Sequence, residues 1–232
     1  MSRDPITRNA LSIGVATAVY AVSFGVLSVA AGFSVVQTCA MSVVCFTGAS
    51  QLTFVSVIAA GGGVAGALSP ALLLAARNAI YAVSLKDVLS GSVPKRALRA
   101  QVIVDETTAM AHAQPTLAAK RRAFDLTALC LFTAWNVGTL AGALAGSGLG
   151  NPRDFGLDAV FPAVFLALLA PQLRGPDATR ATVAGAIIAL ALVPIAPAGV
   201  PIIAAALGAV PVLLASGRRR RGALTQAPEA GR

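Results

Sequence analysis

Four short polar groups interrupt an otherwise apolar chain, and their residue types define the chemistry on offer. The first is Gly48-Ala49-Ser50-Gln51, inside the apolar run 37–60. A glycine that frees backbone amides, followed by a hydroxyl and a carboxamide, presents donors and acceptors to a small polar solute. At membrane depth no water satisfies such groups, so they line a wet cavity or pack against protein. A discontinuous helix whose half-helix ends bind solute has this pattern. Gly, Ala and Ser at helical spacing also serve close helix–helix packing, and on this cluster alone both readings stand. The second group is Arg77-Asn78 with Tyr81. A guanidinium at depth points into a bundle or cavity, where it pairs with a carboxylate in bidentate fashion. The plainer alternative is that Arg77, about two turns from Lys86, snorkels to the interface.

The third group, Asp105-Glu106-Thr107-Thr108, follows the apolar Val102-Ile103-Val104. Adjacent carboxyls in a partly apolar setting titrate high and can exchange a proton. The competing reading makes Asp105 the cap of a short helix starting near Glu106, and the two can hold together. The fourth is Trp135-Asn136, just before Gly138-Thr139. Asn136 can hydrogen-bond a neighbouring helix as well as a solute, and Trp135 can simply pack. Asp158, with Pro162, heads a later apolar run and reads first as a residue favoured by a helix dipole. His112 is the one histidine, so no paired-histidine metal site or base-activated nucleophile is available. The expectation is a non-enzyme with no catalytic residues, no metal and no cofactor.

These groups need a membrane frame. Of the 232 residues 56% are hydrophobic and 12% charged, against roughly 25% charged in a soluble domain. The mean hydropathy is +0.78. The chain is an all-α integral membrane protein, read as a single membrane domain. The net charge of +9 gathers in the segment 86–122 and in Arg218 to Arg221. Such juxtamembrane cations orient a membrane protein and touch anionic lipid headgroups, which disfavours a nucleic-acid partner. Cys39, Cys45 and Cys130 lie in apolar runs without metal or redox spacing and read as small hydrophobes.

By the roughly twenty-residue criterion there are about seven spans: 11–33, 37–60, 64–85, 123–149, 156–173, 181–196 and 200–216. They form a first helical half (11–85) and a second (123–216), joined by the basic loop 86–122 and followed by a basic, disordered tail, 217–232. Seven of the eighteen Lys and Arg residues fall in that loop, which the positive-inside rule places in the cytoplasm together with the C-terminus. Counting back through three crossings puts the N-terminus outside; Arg3 and Arg8 argue against that, so either the rule is weakly broken there or the second segment does not fully cross. Three spans on either side of the loop allow two inverted three-helix repeats with a broken helix at Gly48–Gln51. Gly25, Leu27 and Ala30 echo Gly138, Leu140 and Ala143 at one offset.

Phe46-Thr47-Gly48-Ala49-Ser50-Gln51 resembles the Phe-x-Gly-Ala-Ser-Gln signature of the AzlC family, the large subunits of branched-chain amino-acid exporters. The likeness continues through Arg77 to Leu85, Asp105-Glu106-Thr107, Trp135 with Gly138-Thr139-Leu140, and Gly156-Leu157-Asp158 with Pro162. It departs at Ala75 and Asn78, where the family usually carries Asn and His. The resemblance implies efflux of valine, leucine, isoleucine or methionine across the bacterial inner membrane, beside a small AzlD-type membrane subunit. Substrate binding is then expected at Gly48, Ala49, Ser50, Gln51, Arg77, Asn78, Tyr81, Trp135 and Asn136, with proton coupling at Asp105, Glu106 or Asp158. A channel or assembly subunit is the alternative.

Overall fold

A computed structural model describes residues 4–148, 166, 169–170, 173–212 and 214–215. Among them every regular element is helical. The chain forms two compact units, 1–162 and 163–232. The first contains α1 (Pro5–Ala30), α2 (Val35–Val44), α3 (Gly48–Ala59), α4 (Val64–Ser84), α5 (Val93–Gln101), α6 (Asp105–His112) and α7 (Leu117–Gly148). The second contains α8 (Pro176–Leu192) and α9 (Val200–Ala205), which runs into a 3-10 turn at Ala206–Ala209. There Gly208 lies against the backbone of Ala184 and Gly185, a contact that only small residues permit.

Three helices are long and apolar enough to cross a bilayer: α1, α4 and α7. The pair α1 and α7 forms the spine of the first unit. Gly14 faces Cys130, Ala18 and Ala21 face Gly138, Val22 faces Gly142, and Val26 faces Gly146. Both numbers rise together, so the two helices run side by side in the same direction. Gly138, Gly142 and Gly146 recur every four residues and form one glycine face, which brings the backbones into direct contact. At the start of the pair, Arg122 binds Asp4 at 3.0 Å.

The expected span 37–60 is two half-helices. Ser34 caps α2 reciprocally with Gln37, its hydroxyl accepting from the Gln37 amide while the Gln37 carboxamide oxygen accepts from the Ser34 amide. The helix of 10 residues then ends at Cys45, and α3 adds 12 residues from Gly48. Each is about half the hydrocarbon thickness. Ser42 of α2 meets Asn136 and Thr139 of α7, and Phe46 packs on Phe132, so α2 descends against the direction of α7. Phe54 of α3 returns to Phe33, just beyond the end of α1. The pair therefore enters and leaves on one side, with its break at Cys45–Thr47. Gly48–Gln51 form the first turn of α3 and not the interruption itself.

This path bears on two expectations. With 37–60 turning back, only α1 and α4 cross before the basic segment, and the N-terminus shares that segment's side, as the Asp4–Arg122 pair requires. The echo between 25–30 and 138–143 also joins two parallel helices, whereas partners in an inverted repeat run in opposite directions.

The segment 86–122 is more ordered than a loop. It holds α5, α6 and the first six residues of α7, whose Lys120, Arg121 and Arg122 are helical. At 32 residues α7 is about 48 Å long and extends past the hydrocarbon. Ile103, Leu85, Val88, Ala111, Phe124 and Ala128 form a buried cluster that fastens α6 to α7 and to the end of α4. Positions 156–165, including Asp158 and Pro162, lie outside the described residues, as does the tail 217–232.

Candidate functional site

Because α2 and α3 meet end to end at depth, two sets of free backbone groups face each other across the break. The carboxyl end of α2 is occupied by side chains. Gln51 donates from Nε2 to the Met41 carbonyl at 2.8 Å, and Gln101 donates to the Val44 carbonyl at 2.6 Å and to that of Val43 at 3.3 Å. These carbonyls are thus taken by amides. The amino end of α3 is open. Its first ladder bond runs from the Gln51 amide to the Thr47 carbonyl at 3.0 Å, which leaves the amides of Gly48, Ala49 and Ser50 ahead of the ladder. Thr47 provides no side-chain cap; its hydroxyl lies 3.2 Å from that of Ser50. Three unsatisfied N–H groups at the positive end of a helix dipole favour an anion.

Gly48 sits beneath Trp135. A Cβ at Gly48 would come 2.8 Å from the Trp135 Cη2 atom. The indole is 3% exposed and packs on Phe24 and Tyr20, with ring centroids 5.6 and 5.4 Å away. Its Nε1 hydrogen, the Tyr20 hydroxyl and Gln51 Oε1 are buried without a hydrogen-bond partner. Tyr20 carried no signal in the sequence. It reaches the site only because α1 lies along α7, a contact made by residues far apart in the chain. Arg77 and Glu106 both lie within electrostatic reach of the Tyr20 hydroxyl.

The second half of the site joins α4 to α6. Arg77 binds Asp105 Oδ2 at 2.7 Å, and the Tyr81 hydroxyl donates to Asp105 Oδ1 at 2.5 Å. Asp105 is the first residue of α6, and its residue before, Val104, donates its amide to the Thr107 hydroxyl at 3.0 Å. The short helix expected near Glu106 is therefore present, with Thr107 supplying the capping bond and Asp105 turned to α4. One donor of Arg77, Nε, is buried and unpaired. Glu106, the second residue of α6, keeps an exposed surface beside Asp105. The water displaced there pushes its carboxyl above the usual range, and the neighbouring Asp105 charge adds to the rise.

The remaining predicted residues divide. Asn136 accepts from Ser42 at 2.8 Å and donates to the Phe132 carbonyl at 2.8 Å, so its carboxamide joins α2 to α7. Gln51 likewise spends one end of its carboxamide on α2. Asn78 is half-buried and forms no side-chain hydrogen bond among the described residues. The structure thus brings together Gly48–Gln51 with Trp135, and Arg77 and Tyr81 with Asp105. It adds Tyr20, Ser42 and Gln101. Among the described residues no cluster of His, Cys, Asp and Glu has the arrangement of a metal site.

A membrane protein of Archaeoglobus fulgidus, described as uncharacterized, is 35% identical over 190 residues, covering 81% of this chain and 83% of that one. The inner membrane protein YgaZ of Escherichia coli is 27% identical over 185 residues, 76% of each chain. No solved structure gives a significant match. The model of the AzlC protein family matches residues 12–149, from within α1 to the end of α7, and takes in every described residue of the site. This chain belongs to the AzlC family.

Proposed function

We propose that the chain is the large subunit of a proton-coupled exporter of branched-chain or other hydrophobic amino acids. It works in the bacterial inner membrane beside a small AzlD-type subunit, with its basic segment and C-terminus in the cytoplasm. The observation that carries this reading is the uncapped amino end of α3, held at depth under Trp135. An amino acid needs donors for its carboxylate and acceptors for its ammonium. The amides of Gly48, Ala49 and Ser50 suit the carboxylate, and the spare Nε of Arg77 is a second donor. The hydroxyls of Thr47, Ser50 and Tyr20 suit the ammonium, since the α2 carbonyls are engaged by Gln51 and Gln101. Glu106, beside Asp105, is the group whose protonation follows transport, because the surrounding protein lets its carboxyl take up a proton more readily than a fully solvated one.

The test loads cells with labelled leucine, valine or methionine and follows efflux with and without the chain and its small partner. Arg77→Ala and Gln51→Ala are expected to slow efflux at equal expression. Wild-type rates in both would overturn the site, and unchanged efflux on deleting the chain would overturn transport. An assembly subunit would show no thermal stabilisation by leucine.

A further inference from the structure

We infer that the α5–α6 segment is a gate over the amino end of α3 on the basic side of the membrane. This rests on the reading of that helix end as the solute site. The segment passes from one wall of the site to the other. Its first anchor is Gln101, the last residue of α5, whose single Nε2 reaches the carbonyls of both Val43 and Val44. Those residues lie immediately before the break, three positions from Thr47. Its second anchor is Asp105, the first residue of α6, held by Arg77 and Tyr81 of α4. Between the anchors Val102, Ile103 and Val104 are not helical. Ile103 is 3% exposed and docks in the cluster formed by α4, α6 and α7. Three non-helical residues, pinned at both ends by polar contacts, thus connect α2 to α4 on the route we assign to a solute leaving the α3 amides toward the basic side.

The anchors differ in kind from the rest of the fold. The small-residue contacts of α1 with α7 cannot be remade after a shift, whereas side-chain hydrogen bonds to carbonyls and an ion pair exchange partners readily. Gln101 is exposed, and the side chains of Arg77 and Asp105 are 33% and 43% exposed, so both anchors have access to competing groups. Arg77 is also the link between ligand and gate. Its buried, unpaired Nε awaits an acceptor, and a carboxylate taking that position competes with Asp105 for the same guanidinium. Occupancy at α3 therefore loosens the second anchor, and loss of the ligand restores it.

The experiment reads access and not transport. Ser50, buried in the first turn of α3, is changed to Cys in a background where Cys39, Cys45 and Cys130 are Ala. A membrane-impermeant maleimide is then applied to sealed vesicles from the basic side. Gln101→Ala and Asp105→Asn should each raise the labelling rate about tenfold, because labelling of a shielded thiol follows the open fraction. Gln101→Glu, which sets a carboxylate against the same carbonyls, carries the same expectation should Gln101→Ala fail to fold. Labelling from the opposite side should not rise. Unchanged rates in all three variants would overturn the gate. Leucine protecting the Ser50→Cys thiol tests the site separately: lack of protection with a raised rate in the variants rejects the solute site and keeps the gate.

Discussion

Gly48 is constrained because its missing side chain lets the Trp135 indole rest on the start of α3. The indole has little room to retreat, being packed on Phe24 and Tyr20. Gly48→Ala should cost about 1–3 kcal/mol by overpacking. Adding Trp135→Phe should recover part of that loss, measured as a coupling energy in a double-mutant cycle of thermal unfolding in detergent. Ser42 gives a contrasting case. It is fully buried and satisfies Asn136 across α2 and α7, so Ser42→Ala strands a carboxamide oxygen at a cost of about 1 kcal/mol. That variant should melt earlier yet bind leucine as before, whereas Arg77→Ala should lose leucine-dependent stabilisation. Glu106 carries the pH dependence. Its carboxyl titrates above the usual range in the folded protein, so the folded state holds more protons between the ordinary value of about 4.3 and the raised one. Stability then falls as pH rises through that window. Glu106→Gln removes the penalty and should raise the melting temperature at pH 8, with the gain vanishing below about pH 4.

Among elements, the α1–α7 pair is the least tolerant of change. A Cβ at Gly142 would collide with the Val22 carbonyl, and one at Gly25 with that of Thr139. Gly142→Leu should therefore abolish accumulation of folded protein, whereas Gly63→Ala, with no atom nearby and an ordinary φ of −72°, should leave it unchanged. Quantitative immunoblotting of membranes separates the two. Apolar content made α1, α4 and most of α7 readable in the sequence, and Gly48–Gln51 marked the region of the discontinuity. The path of α2 and α3 was only partly readable: Arg3 and Arg8 left open that the second segment does not fully cross. A largely apolar run of 24 residues is long enough to cross, and only contacts with Phe132 and Phe33 show that it turns back. Nor were α5 and α6 evident, since short basic or acidic helices have no apolar stripe of useful length. Asp105 and Arg77 were each singled out, but their pairing depends on α4 and α6 running in the same direction, which spacing does not encode.

At the scale of the first unit, the chain crosses with α1, returns with α4 and crosses again with α7, while α2–α3 and α5–α6 meet from opposite faces. This arrangement fixes which loops share a side. Gly61→Cys, at the turn between α3 and α4, should react with an impermeant thiol reagent on one face of the membrane. Lys95→Cys and a tag ahead of Asp4 should both be reached only from the other. A tag on the Gly61 side would restore the three-crossing path. Composition made the membrane class plain, and Arg3 and Arg8 are consistent with an N-terminus that shares the side of the basic segment.

The parallel seam between α1 and α7 also sets a condition on biogenesis. The glycine and alanine face of α1 emerges first from the ribosome, but its partner follows only after about 100 further residues, a delay of roughly 5–20 s at common synthesis rates. Throughout that interval α1 lies in the membrane beside lipid or an insertion factor, with its contact face unfilled. Fragments ending before α7 should accordingly be degraded, and co-expressed 1–113 and 114–232 should survive only together.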